Sequence, residues 1–487
     1  MEKKMMMPLV QALINHNKNQ PVSFHVPGHK NGMLLSQDQE ITPFFQAIMQ
    51  IDQTELSRLD DLHAPEGAIE EAQQLLSDLY NTNSSFFLVN GSTVGNIAMI
   101  LATFREGDEV LVQRNSHQSI MNGLELANVQ PIFLAPNIDK TRQISGEVEV
   151  SFVKEALEKY PNIKGIILTN PNYYGINYSI KEIINLAHSR SIPVLVDEAH
   201  GAHFVIGEPF PKSALEYGAD IVVHSAHKTL PAMTMGSYLH FNSSLISLQK
   251  VKDYLRMLQS SSPSYPIMAS LDYARGYVAS YTKEDLKFLV GQIRSFMEEL
   301  DKLKDITVIK GHEYYIDPLK ITIQSTMGFS GYALQRALEE QSIFAELADL
   351  RNVLLIFPLL KSGVEYPIKD TIIRIKKAIK SLQDSKLHWN SDMDILQYEG
   401  IRLSHSKANY QKLNQTEKEV VPFEQSVGQI SFENIIPYPP GIPVILKGEI
   451  IVDEHILLIE KLVMVGAKFH GGDWIKERKI MIVKNEM

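Results

Sequence analysis

Residues 193–229 read PVLVDEAHGAHFVIGEPFPKSALEYGADIVVHSAHKT, and two short apolar runs inside them decide the fold. Residues 194–196 and 221–223 are short and rich in β-branched side chains, the pattern of buried parallel strands. Each run ends in ionisable residues. Asp197, Glu198, His200 and His203 follow the first; His224, Ser225, His227 and Lys228 follow the second. Ligands of open α/β sheets gather at the carboxyl ends of strands. The stretch is therefore expected to aim a carboxylate and a lysine at one pocket.

Working outward, the same alternation continues on the N-terminal side. Residues 86–89 read as a strand, 90–93 as a tight turn and 94–104 as a helix. Strand 109–112, helix 114–127 and strand 131–134 follow, then a helix over 151–160 capped by Ser151. Strand 163–169, the NPNYYG loop at 170–175 and a helix over 179–190 complete the run, with Ser179 and Glu182 spaced as a capping box. Strands alternating with helices predict βαβ units and an α/β fold with a mostly parallel sheet. On the other side, a helix over 249–260 breaks at SSSPSYP and a new one starts near Ala269. A long charged helix over 282–304 leads into a smaller α/β domain with strands near 306–309, 319–323 and 353–358 and a helix over 331–341. Polar stretches at 385–397 and 411–425 mark a further boundary. The expected division is a helical arm (1–25), a large domain (26–280), a small α/β domain (281–390) and a C-terminal domain (391–487).

Composition narrows the function classes. The chain has 487 residues, 44% hydrophobic and 21% charged, as in ordinary globular proteins, and is long enough for several domains. A net charge of −10 argues against a sequence-independent nucleic-acid binder. The absence of cysteine removes disulfides, thiolate metal sites and cysteine nucleophiles, and fits a cytoplasmic location. No stretch reaches the roughly 18 apolar residues of a membrane span, so no membrane partner is expected.

Three features carry chemistry. Asn90-Gly91-Ser92-Thr93 leads from a strand into a helix, where free backbone N–H groups, the helix dipole and two hydroxyls suit an anion such as phosphate. The chain has no Gly-Lys pair, so this is not a P-loop. Lys228 ends a buried strand beside His224, Ser225 and His227, which suits an amine nucleophile. Asp197, one crossover earlier, is a carboxylate in need of a cation or strong donors. Lysine, aspartate and phosphate cradle are together what pyridoxal phosphate requires: a Schiff-base partner, a partner for the protonated pyridine nitrogen and an anchor. His117, at the start of its helix, is a candidate to cover the ring. Rival readings remain. Asp197–His200 spells the DEAH of some helicases, without the Walker lysine. A metallohydrolase using Asp197, His200, His203, His224 and His227 would leave Lys228 and the Gly-Ser-Thr turn idle.

Seven segments together resemble one family, the bacterial ornithine/lysine/arginine decarboxylases of the aspartate-aminotransferase fold. They are FHVPGHKNG (24–32), LDDLHAPEGAIEEAQ (59–73), FLVNGSTVGN (87–96), VDEAHGAH (196–203), SAHKTLPAMTMGS (225–237), SSPSYPIMASLD (261–272) and IIPYPPGIP (435–443), in family order. The resemblance implies fold type I of the pyridoxal-phosphate enzymes, with a mostly parallel seven-stranded sheet, helices on both faces, a smaller α/β domain and a C-terminal α+β domain. It also implies the shorter form without an N-terminal wing domain. Lys228 would be the Schiff-base lysine, Asp197 the pyridinium partner and His117 the stacked ring. Ser92, Thr93, Ser225 and His227 resemble phosphate ligands, and Gly91, Ala199 and His200 are expected at the cofactor with them. Ser261 and Ser262 match a segment that reaches the phosphate of a neighbouring subunit, so a homodimer or larger homo-oligomer is implied. The sequence departs from the family's H-K-S at His117-Gln118-Ser119, which puts the role of that lysine in doubt. The implied reaction is decarboxylation of a basic amino acid, arginine first and then lysine or ornithine, feeding polyamine synthesis. An aminotransferase or aldolase of the same fold is the alternative. Glu346 and Asp349, in FAELAD, are the carboxylates expected to meet the far end of the substrate.

Overall fold

A computed structural model describes residues 3–35, 38–139, 144–311, 316–384, 403–405, 410–438, 441–464 and 466–484. The chain divides into two compact units. The first comprises Met1–Thr103, Ala187–Glu208 and Lys212–Thr282; the second comprises Phe104–Leu186, Pro209–Pro211 and Lys283–Met487.

In the first unit the strands lie in the order Ser84–Leu88, Ser237–Phe241, Ile221–His224, Val194–Asp197. The last two are parallel, and Ser237–Phe241 runs antiparallel to both of its neighbours. The sequence reading contains no strand at 237–241. SYLHF is short and lacks β-branched residues, and PAMTMG before it reads as loop; burial between two strands holds it extended. Helix Gly91–Thr103 packs on this layer, and Gly95 is what lets it approach. A Cβ there would stand 2.7 Å from Leu88 Cδ1 and 3.0 Å from Val223 Cγ1.

The second unit holds Ile163–Thr169, Glu109–Gln113 and Gln130–Leu134, all parallel, followed by Leu403–His405 antiparallel to the last. Seven of these eight strands precede residue 242, in line with the seven-stranded expectation. A separate antiparallel sheet has the order Ile306–Val308, Lys320–Ser325, Asn352–Ile356, Leu347–Ala348. The C-terminal part packs Lys418–Pro422 against Lys479–Val483 and buries Phe423, Ile435, Ile445, Ile459 and Ile480 in one cluster.

Several local expectations are corrected. Helix Gly91–Thr103 begins at Gly91, so Ser92 and Thr93 lie on its first turn and not in a turn before it. The helix expected from 114 starts at Gln118, with His117 as its cap. Ser151 is not the cap of its helix, because Val150–Lys159 starts one residue earlier and Ser151 Oγ donates to Glu149. The helix expected near Ala269 begins at Tyr265, capped by Ser264, because a proline is tolerated in a first turn. Residues 411–425 are ordered as Tyr410–Gln415, Lys418–Pro422 and Phe423–Ser426, with Val421 and Phe423 buried in the C-terminal cluster. The polar stretch 385–397 and the 390/391 boundary lie outside the described residues. Helix Ile41–Ile51, absent from the sequence reading, buries none of its residues in this chain.

Candidate active site

The two strands of the opening stretch end side by side, with Asp197 opposite Val223 in a parallel register. Beyond that pair the backbone stays connected. Glu198 N–H donates to Val223 O at 3.0 Å, and Ser225 N–H donates to Ala199 O at 3.2 Å. Asp197 and Ser225 are therefore fixed by main-chain bonds before any side chain is considered.

Asp197 is 2% exposed. Its Oδ2 accepts from Asn96 Nδ2 at 3.0 Å and its Oδ1 from Ala199 N–H at 3.2 Å. Both donors are neutral. Among the described residues no cation forms an ion pair with it; a buried carboxylate so placed is costly, and its remaining acceptor capacity suits a positively charged N–H. Sequence reading missed Asn96. Its signal was a single amide inside the apolar run VGNIAMILA, five residues after the glycine of the cradle.

Lys228 sits in the short helix Ala226–Thr229 that follows its strand. Its Nζ lies 3.2 Å from His200 Nε2. At the start of helix Gly91–Thr103, Gly91 has φ +78° and its N–H is bonded to Met235 O at 2.9 Å. Ser225 Oγ donates to Ser92 Oγ at 2.7 Å, which places two hydroxyls together at that helix's N-terminus. Thr93 is exposed on the same turn. His227 is held by its own backbone region, Nδ1 lying 2.9 Å from Gly236 O. Within the first unit the structure thus assembles Gly91, Ser92, Asp197, Ala199, His200, Ser225, His227 and Lys228 on adjoining strand ends and helix starts. These residues fit pyridoxal phosphate: an amine, an uncompensated buried carboxylate and a hydroxyl-lined helix N-terminus. Ser261 and Ser262 are exposed in the link between helices Leu248–Leu258 and Tyr265–Ala279.

His117, Glu346 and Asp349 belong to the second unit. His117 caps helix Gln118–Ala127, its Nδ1 accepting from Ser119 N–H at 3.2 Å. Glu346 is exposed next to the two-residue strand Leu347–Ala348, not on a helix. Asp349 is engaged by its own turn: Oδ1 accepts from Arg351 N–H and Asn352 N–H, each at 2.7 Å, and Oδ2 from Asn352 Nδ2 and the Tyr174 hydroxyl.

The histidines of the rival metal reading go to separate partners. His200 faces Lys228, His203 packs edge-on to Phe204, and His224 is bonded to Glu198. Among the described residues no group of three or more histidines or carboxylates is placed to share a metal ion, and no helix is long and apolar enough to cross a membrane.

A buried network not read from the sequence lies beneath the site. Glu198 Oε1 accepts from Ala214 N–H at 3.0 Å, and Oε2 meets Ser213 Oγ and His224 Nε2, the latter at 2.8 Å. His224 Nδ1 is 3.1 Å from His240 Nε2, and His240 Nδ1 is 2.8 Å from Ser85 Oγ. Burial, reinforced by His224, holds the His240 pKa well below the usual histidine value, so its imidazole is neutral.

Comparison with known proteins places the chain in a family. The sequence matches the Orn/Lys/Arg decarboxylase major domain over residues 7–313 and the C-terminal domain of the same family over residues 398–470. It is 47% identical over 484 residues to the uncharacterized protein YaaO of Bacillus subtilis, covering 98% of this chain and 99% of that one. It is 34% identical to the arginine decarboxylase of Halalkalibacterium halodurans, covering 98% and 97%. The fold matches the Francisella novicida lysine decarboxylase LdcF with a TM-score of 0.81 at 21% identity, over 99% of this chain and 82% of that one. The chain is an amino acid decarboxylase and belongs to the Orn/Lys/Arg decarboxylase family.

Proposed function

We propose that this protein uses pyridoxal phosphate to remove the carboxyl group of a basic amino acid, arginine before lysine or ornithine, and so feeds polyamine synthesis in the cytoplasm. The observation that carries the cofactor is Asp197, a buried carboxylate whose donors are two neutral N–H groups. When bound, pyridoxal phosphate supplies a protonated ring that takes up the electrons released as CO2 leaves. Asp197 holds the proton on the ring nitrogen. Asn96 and Ala199 hold Asp197. Lys228 would anchor the cofactor covalently. Ser92, Thr93, the N–H groups of helix Gly91–Thr103 and Ser225 would hold the phosphate, with His227 beside them, and His117 is proposed for the ring. Lys228 and His200, 3.2 Å apart, are the groups that could deliver a proton at the site.

Arginine is favoured because the relatives at 33–34% identity that span nearly the whole chain are named arginine decarboxylases, while the lysine decarboxylases among the relatives are 22–24% identical. Glu346 and Asp349 are the carboxylates proposed for its guanidinium, which binds in a bidentate fork.

A homodimer is proposed on surface grounds as well. Val22, Phe24, Val26, Met33, Leu34, Ile41, Phe44, Phe45 and Ile48 are all exposed, Phe24 by 94% and Phe44 by 80%. Exposed large apolar side chains concentrated in one short stretch of the chain are what an interface between subunits covers. Ser261 and Ser262, also exposed, are proposed to reach the neighbouring subunit's phosphate across that interface.

The test is direct. Purified protein should carry a visible absorption band that borohydride bleaches and Lys228→Ala abolishes. CO2 release from arginine, lysine and ornithine, assayed side by side, names the substrate. Formation of a keto acid in place of an amine would establish the aminotransferase alternative.

A further inference from the structure

We infer that Glu198 and His224 are positioning residues for the cofactor site, clamping together the two strand ends that present Asp197 and Ser225. The inference rests on the pyridoxal-phosphate reading and goes beyond it, since neither residue is placed to touch the cofactor.

Each clamp residue is the chain neighbour of a site residue. Glu198 follows Asp197 and His224 precedes Ser225. Consecutive residues at a strand end point to opposite faces, so one face carries the site and the other carries the clamp. Both clamp side chains are 0% exposed, and the 2.8 Å bond between Glu198 Oε2 and His224 Nε2 is a direct link between the strands just past the last ladder pair, Asp197 and Val223. The same strand ends hold Lys228, three residues beyond Ser225.

The clamp is braced from both sides. Ser213 and Ala214 satisfy the rest of the Glu198 carboxylate. On the far side a row of bonds runs from His224 to His240, Ser85 and Thr82, reaching half-buried Thr82. Tyr80 lies over it, its ring 4.5 Å from His240 and 5.4 Å from His224, and its hydroxyl donates to Ala202 O. A carboxylate only accepts, so His224 Nε2 is the donor. His240 is neutral, so its two nitrogens take opposite roles. One direction of donation satisfies every bond: Thr82 to Ser85, Ser85 to His240, His240 to His224, His224 to Glu198. A row satisfied this completely fixes side-chain position more firmly than packing alone.

A residue that merely fills space at 224 would tolerate a leucine of similar volume. A positioning residue needs the N–H. The test measures the pyridoxal-phosphate affinity and visible band of the wild type, His224→Leu and His224→Gln, with melting temperature recorded for each. His224→Leu is expected to weaken cofactor affinity roughly 10-fold or more and to displace the band, because a bond to a charged acceptor is lost. His224→Gln, which keeps an N–H near the place of Nε2, is expected to stay within about 3-fold of wild type. Ser85→Ala, at the remote end of the row, leaves the strand ends untouched and should lower affinity about 2-fold to 5-fold, which keeps the idea testable if His224→Leu fails to fold. Wild-type affinity and band in a folded His224→Leu, or in Ser85→Ala should His224→Leu not fold, would overturn the inference. Equal losses in the leucine and glutamine variants would do so too. Failure of the wild type to bind the cofactor would instead overturn the reading on which it rests.

Discussion

Replacing Asn96 by leucine isolates the support of Asp197. Asn96 is 0% exposed, and its Nδ2 donates to Asp197 Oδ2 at 3.0 Å. Leucine keeps the side-chain volume and the branch at Cγ, so little cavity is created, while the hydrogen bond to the buried carboxylate is removed. Such bonds contribute about 1.5–3 kcal/mol, and an acceptor left dry adds to the loss. At 1.4 kcal/mol per factor of ten, cofactor affinity and turnover together should fall by about 10-fold to 100-fold. Fluorescence titration of the apoprotein with pyridoxal phosphate reads the first, and single-turnover CO2 release from arginine reads the second. Asn96→Ser, which retains a small donor, should lose less. Asn96→Asp sets a second carboxylate about 3 Å from the first and should lose more. If Asn96→Leu lowered only the melting temperature, leaving affinity and turnover at wild-type values, Asn96 would be a packing residue and the assignment of Asp197 as the ring-nitrogen partner would lose its structural support.

Other expectations follow from single features. Gly95→Ala should destabilise the protein by about 1–3 kcal/mol, because the added methyl meets Leu88 at 2.7 Å and Val223 at 3.0 Å; a melting temperature within a degree of wild type would show that the helix can shift freely. His240, with its pKa held well below 6.5, makes folding pH-dependent. Above 6.5 neither state takes up the proton and stability is full. As pH falls below 6.5 the unfolded chain binds a proton that the fold refuses, so stability declines. His240→Gln should flatten that decline in urea midpoints measured on either side of pH 6.5, and an unchanged slope would assign the acid sensitivity elsewhere. Phe44→Asp combined with Ile48→Asp, on a helix with no buried residue, tests the proposed dimer: the variant should sediment as a smaller species than the wild type, with activity lost alongside, and unchanged sedimentation would place the interface elsewhere.

Much of the candidate site was legible because its residues are local in sequence. A phosphate cradle needs a glycine and hydroxyls at a helix start, and Gly91, Ser92 and Thr93 are consecutive. A strand end is readable from a β-branched run followed by charge, which singled out Asp197 and Lys228. The small domain's strands and the helix Gly331–Glu339 also fell where periodicity placed them, since amphipathic patterns of that length have one reading. Ser237–Phe241 did not, because nothing in SYLHF distinguishes a strand from a loop until neighbours on both sides supply its hydrogen bonds. FAELAD was not read as a strand for the same reason: its strand is two residues long and exists only by pairing with Asn352–Ile356.

What the sequence by itself determined is the set of reactive groups and the strand ends that carry them, because covalent order puts Asp197 after one buried run and Lys228 after the next. What only the tertiary structure decided is which neighbours hold those groups. Asn96 comes from a helix 101 residues away, and Ser85 reaches His240 across 155. Hydrogen bonds between such partners leave no period or motif in the chain. They arise only when buried polar atoms, closed off from water, must find one another.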